Sequence, residues 1–239
     1  MINEETIKEV SNFLDNPDQI REIGLSQNYA QYSRLSEPNS TWSGYRCRIL
    51  NPSKKEKKDD IQSWLDSAEG FPACKNTEIG DEILNKLENV FRKKIIPSSL
   101  NLTFHINPYI SRQGFPHFDT RDPNGFAGVI YLSKEYPEDI DCGTTIYNTV
   151  HPFDADLDKM KIMYEPNLSP TNRFKDIFSE ELTERKQSLE VYKKIKFEYN
   201  KLICYPGMVI HSPDFYFGEN LENSRMTISI HGKFDANWL

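Results

Sequence analysis

The spacing of apolar residues changes near residue 101 of this chain. Before that point it is helical: Ile79, Ile83, Leu84, Leu87, Val90 and Phe91 recur at intervals that place them on one face of a helix. Upstream, Asn16 and Pro17 read as an N-cap followed by proline at the first helical position, opening the segment PDQIREIGLSQ. Residues 1–100 are therefore expected to be mainly helical. The run NPSKKEKKDD between these segments carries both charge signs and suits a solvated loop.

From Leu102 onward the texture becomes one of short aromatic and β-branched runs: NLTFHINPYI, FAGVIYLS, GTTIYNT, FEYNKLICY, GMVIHS and RMTISIHGKF. Turn signals at DPNG, YPG and HSPD separate several of them. Six such strands predict a barrel or sandwich. Residues 151–195 interrupt the pattern with mixed charge and with Phe174, Phe178, Leu182, Leu189 and Tyr192 at roughly helical intervals. That stretch is expected to be a largely helical insertion between two strands, serving either as a flap over a site or as passive decoration.

Composition narrows the class. A chain of 239 residues with 37% hydrophobic and 12% aromatic content can bury a sizeable core, and we read it as one domain spanning residues 1–239. The net charge of -7 argues against a broad nucleic-acid-binding face. The start, MINEETIKEVSNF, is acidic and polar where a secretory signal needs a basic and then an apolar run, and no later stretch is apolar enough to span a bilayer. The expected compartment is the cytoplasm. Cys47, Cys74, Cys142 and Cys204 form no Cys-x-x-Cys pair, so they read as reduced, mostly buried thiols.

The candidate chemistry lies in the second half. In QGFPHFDTRDPNG, His117 and Asp119 are two positions apart, so on a strand they project to the same side. An imidazole nitrogen and a carboxylate oxygen can then reach one metal ion, although alone the pair equally describes a surface polar patch. The stretch NKLICYPGMVIHS adds His211 at the end of a second strand, after a tight turn at Pro206 and Gly207. Arg225 then opens RMTISIHGKF with Thr227 on the same face. Two histidines and one carboxylate on rigid strands, with adjacent positions left open, describe the facial triad of non-haem Fe(II) oxygenases. His105 and His231 occupy apolar strand contexts and read as hydrogen-bonded core histidines.

The order His-x-Asp, distant His, then Arg resembles the Fe(II)- and 2-oxoglutarate-dependent oxygenases, nearest to their prolyl-hydroxylase-like branch and to related uncharacterised bacterial and phage proteins. CGTTIY at 142–147 and NKLICYPGMVIHS at 200–212 stand where those proteins have strands flanking the metal, and the likeness covers about residues 101–234. The gap from Asp119 to His211 is wider than usual, and Lys201 stands where arginine is more common.

The resemblance implies a β-rich α+β fold. Its core is a double-stranded β-helix, a cupin-like jelly roll, at residues 101–234, with N-terminal helices packed on it and the insertion 151–195 between strands. It also implies that His117, Asp119 and His211 bind Fe(II), with Arg225, Thr227 and Tyr109 on the cosubstrate 2-oxoglutarate. O2 and ascorbate would serve as oxidant and reductant, and the partner would be a peptidyl, amino-acid or small-molecule substrate, without nucleic acid or membrane. Asn101 and Thr103 are further candidates for the cosubstrate, Thr145 for the pocket wall, Tyr147 for that wall or the core, and Trp42, Arg46 and Arg48 for substrate or for ordinary packing with surface charge. Two other readings compete: a metal-binding sensor that has lost turnover, and a zinc or manganese enzyme that needs no oxygen.

Overall fold

Strands whose side chains alternate between apolar and polar need two different environments, and the computed structural model supplies them, among the described residues, as two sheets and two α-helices. It describes residues 5–31, 44–49, 73–74, 76–108, 114, 116–150 and 186–236. The strands are β1 (Lys8–Val10), β2 (Ala30–Gln31), β3 (Tyr45–Ile49), β4 (Ala73–Cys74), β5 (Asn101–Asn107), β6 (Gly125–Tyr131), β7 (Thr144–Val150), β8 (Val191–Ile195), β9 (Leu202–Pro206), β10 (Val209–Pro213) and β11 (Arg225–Lys233). The helices are α1 (Pro17–Leu25) and α2 (Thr77–Phe91). The larger sheet runs β1-β9-β6-β11-β5-β3-β2, with β4 beside β3, and the smaller runs β10-β7-β8.

Period-two alternation places two cores on opposite sides of the larger sheet. On one side Leu102, Phe104 and Ile106 of β5, Met226, Ile228 and Ile230 of β11, and Phe126 and Ile130 of β6 pack with Ile79, Ile83, Leu84 and Leu87 of α2 and Ile20 of α1. On the other, Ala127, Tyr131, Ile203 and Tyr205 meet Ile146, Ile195 and Val209 from the smaller sheet. This is a double-stranded β-helix with helices covering its larger sheet, the fold class expected from the sequence.

The inner face of the larger sheet is apolar on β6 and β9 and polar on its other half. Arg225, Thr227, Ser229 and His231 alternate with the core residues of β11, as Thr103, His105 and Asn107 do on β5 and Arg46 and Arg48 on β3. Register places Arg46 beside His105 and His105 beside Thr227. That polar half is the wall of the site described below.

The helical expectations hold for α1 and α2. Asn76 caps α2 by accepting from the Glu78 N–H at 3.1 Å, whereas Asn16 occupies the cap position of α1 without a side-chain bond. The remainder of the first hundred residues corrects the sequence reading. The described part contains β1 to β4, all joined to the larger sheet, and YRCRI, placed in a helical lead-in, is β3, paired with β5. Its alternation of Cys47 and Ile49 with Arg46 and Arg48 is the signature of a strand buried on one face. Likewise Val191–Ile195, taken as part of a helical insertion, is β8 and pairs with β7. Phe174, Phe178 and Leu182 lie outside the described residues, as do Trp42, Tyr109 and the charged run at 51–60. No helix among the described residues is long and apolar enough to cross a membrane. The four cysteines are free and buried.

Candidate metal centre

His117 and His211 are 94 positions apart in sequence and directly opposite in space. Each donates its backbone N–H to the other's carbonyl at 2.9 Å, forming a single antiparallel bridge. Residues paired in this way project their side chains to the same side, and the two rings lie 4.4 Å apart between centroids. Among the described residues around it, His117 forms an isolated bridge against β10 where a strand was expected. His211 follows a register irregularity in β10 between Val209 and His211, a type of feature that re-aims a side chain. Its Nδ1 lies 3.0 Å from the Val209 carbonyl oxygen. A carbonyl only accepts, so Nδ1 carries the proton and Nε2 keeps its lone pair for a metal.

Asp119 reaches the same point from the loop after His117. Its backbone N–H donates to the Gly207 carbonyl at 2.8 Å, and that of Thr120 donates to the same oxygen at 3.1 Å. The turn after β9 therefore braces the loop, and a side chain on Gly207 would collide with Thr120. The Asp119 Oδ2 atom lies 3.3 Å from His211 Nε2, and Oδ1 lies 3.6 Å from His117 Nε2. One donor atom from each of His117, Asp119 and His211 falls within 4.8 Å of the others. Adjacent ligands on a metal with bonds of about 2.1 Å stand about 3 Å apart, so the spacing fits a single ion.

The protonation states suit metal binding as well. Burial pushes the His211 imidazole down to about 4 against the pull of the Asp119 carboxylate, so near neutrality it is the uncharged ligand form. For Asp119, burial works to raise the carboxyl, but attraction from His211 and His231 outweighs it and holds the group well below the usual carboxylate range. The set is then two imidazoles and one ionised carboxylate, the donor chemistry of mononuclear non-haem Fe(II).

These side chains close one end of a cavity of about 270 Å³, which Arg225, Thr144, Tyr216, Arg46, His105 and His231 also line. Arg225 is 2% exposed and donates from Nε to the Cys142 carbonyl at 3.1 Å and from Nη2 to the Gly143 carbonyl at 3.3 Å. Its guanidinium also stands 5.4 Å from the centre of the Tyr131 ring and 5.7 Å from that of Tyr216. Thr227 is buried on the same face of β11 but does not line this cavity.

Several readings need correction. Thr145, a candidate for the pocket wall, faces away from it, and Tyr147, read as a pocket or a core residue, is buried outside the cavity. Thr145 donates to Asp214 at 2.7 Å, Tyr147 bonds Ser212 at 3.1 Å, and Thr144 lines the cavity instead. His231, read as a core histidine, has a side chain 39% exposed and stands 3.3 Å from Asp119; His105 also lines the cavity. His231 belongs to the same alternating series of β11 as Arg225 and Thr227, and His105 to the matching series of β5, where it pairs with Thr227; that parity was the available signal. Lys201 holds Glu9 at 2.8 Å, so the lysine at that position serves a surface ion pair.

The model of the DUF6445 family, described as a family of unknown function, matches residues 103–231. No curated protein matches the chain in sequence. Among solved structures, HygX from Streptomyces hygroscopicus, with nickel and 2-oxoglutarate bound, superposes at a TM-score of 0.50 and 10% identity, over 98% of this chain and 87% of that one. AviO1 from Streptomyces viridochromogenes gives 0.49 at 13% identity over 97% and 91%. A prolyl hydroxylase from Trichoplax adhaerens, in complex with a hypoxia inducible factor peptide fragment, gives 0.47 at 12% over 98% and 85%. At such identity the likeness to HygX is one of fold.

Proposed function

The chain belongs to the DUF6445 family of unknown function, and from that premise and the site geometry we propose that it is an Fe(II)- and 2-oxoglutarate-dependent dioxygenase, a hydroxylase of the prolyl-hydroxylase-like branch. One observation carries the reading: a His-Asp-His donor set and a buried arginine border the same small cavity inside a double-stranded β-helix. HygX supplies a parallel, since its structure holds nickel and 2-oxoglutarate on this fold. The substrate is a peptidyl, amino-acid or small-molecule compound.

His117, Asp119 and His211 would hold the metal. Bound there with 2-oxoglutarate and O2, Fe(II) would supply the oxidative decarboxylation of the cosubstrate to succinate and CO2, which furnishes two electrons, coupled to insertion of one oxygen atom into a substrate C–H bond; ascorbate would only keep the metal ferrous. Arg225 is the group for the distal carboxylate of 2-oxoglutarate. The Cys142 and Gly143 carbonyls already fix its plane, and a pre-oriented guanidinium can donate two parallel hydrogen bonds with little further loss of freedom. Thr227 and Tyr109 are proposed for the same cosubstrate on the resemblance alone. Val129, Tyr205, Pro213 and Tyr216 line the cavity and limit water around the metal.

The test is ligand-dependent stability of the Mn(II)-loaded protein. At about a hundredfold excess over Kd, 2-oxoglutarate should raise the melting temperature by about 5–10 °C. Arg225→Ala should abolish the shift, and Arg225→Lys, which keeps the charge without the fork, should retain only part of it. Equal shifts in all three proteins would remove the cosubstrate assignment.

A further inference from the structure

We propose that His231 is a positioning residue of the metal centre: its Nε2–H holds the Oδ1 oxygen of Asp119, so that the carboxylate offers the metal Oδ2 alone. This rests on the metal-site reading above. His231 is the last cavity-facing residue of the β11 series, between Asn101 of β5 and Ala127 of β6. Its Nε2 stands 3.3 Å from Asp119 Oδ1, within hydrogen-bond reach, whereas His117 Nε2 is 3.6 Å from that oxygen and outside it. Oδ2 faces His211 Nε2 at 3.3 Å. Oδ2 thus faces His211 alone, while Oδ1 has His231 at hydrogen-bond distance and His117 as its more distant neighbour. His231 is not part of the donor set whose atoms lie within 4.8 Å of one another, which separates it from a fourth ligand.

The consequence concerns coordination number. Asp119 sits on a loop, and the bonds to Gly207 fix its backbone without fixing the rotation of its carboxylate. A carboxylate free to rotate can take two positions on the metal. Held by its second oxygen it takes one, so the two imidazoles and Asp119 leave three positions, the number a bidentate 2-oxo acid and O2 require. A strand-borne imidazole donor is suited to this because the ladder on both sides fixes its own position.

The experiment titrates the full-length protein with Co(II), followed by its visible ligand-field absorption, for wild type, His231→Gln and His231→Phe, with metal-free melting curves alongside. Glutamine keeps an N–H donor at similar reach; phenylalanine keeps a ring without one. The Phe variant should bind Co(II) about 10–100-fold more weakly and with an altered band, while Gln stays within a few-fold of wild type and the metal-free melting temperatures agree. Wild-type affinity and spectrum in the Phe variant, or equal losses in Gln and Phe, would overturn the proposal. His117→Ala is the separate control: if it binds Co(II) as wild type does, the metal centre itself is misassigned, whatever His231 does.

Discussion

Gly143 leaves no room for a side chain, because a Cβ there would collide with the Ile195 carbonyl oxygen where β8 ends. The same residue's carbonyl accepts from Arg225 Nη2. A single substitution should therefore act twice: Gly143→Ala is expected to cost about 1–3 kcal/mol through overpacking, and by displacing that carbonyl to reduce the 2-oxoglutarate-dependent gain in melting temperature. Melting curves with and without the cosubstrate separate the two effects. At this scale the glycine of CGTTIY was legible as a motif, but its work was not: it lets two backbones approach and orients a guanidinium. The adjacent threonines show the same limit. Thr144 faces the cavity and Thr145 faces Asp214, and neighbouring positions on a strand differ only in which side the fold turns inward.

Among the elements, β11 does most to build the site. It pairs with β5 over Arg225–His231 and with β6 over Thr227–Lys233, and divides into Met226, Ile228 and Ile230 toward the helices and Arg225, Thr227, Ser229 and His231 on the inner face. Slipping its register by one residue would exchange the two sets, so the packing of α2 against the far face also determines which side chains reach the candidate site. Leu87 on α2 is fully buried in that packing. Leu87→Ala is expected to cost about 2–5 kcal/mol, checked by denaturant unfolding. The periodicities of α2 and β11 were both evident in the sequence, whereas those of β3 and β8 were not, since five-residue runs flanked by charged stretches carry too few repeats to separate strand from helix.

The whole molecule depends on the two sheets staying in register with each other, and a surface ion network spans them. Glu9 on β1 accepts from Lys193 on β8 and from Lys201 just before β9, each at 2.8 Å. Burial alone would raise the Glu9 carboxyl, but the hydrogen bonds from the two lysines outweigh it and hold the group below its ordinary 4.5. A depressed folded value means that the network stabilises above about pH 4.5 and loses that contribution as pH falls through the folded value. Glu9→Gln should accordingly lower the melting temperature near pH 7, by a stability loss under about 1 kcal/mol, and match wild type in acid. A difference that persists below the folded value would contradict the network's role. What the sequence determined by itself was periodic or local: the main strands after residue 101, the long amphipathic helix, and the order His117, Asp119, His211, Arg225 on which the resemblance rests. Tertiary structure alone decided that His117 and His211 are cross-strand partners, that Thr144 rather than Thr145 turns inward, and that His231 stands over Asp119. Alternation along a strand is set by covalent geometry and can be read from one chain, whereas pairing and facing are set by which distant strand lies opposite, and no local window contains that partner.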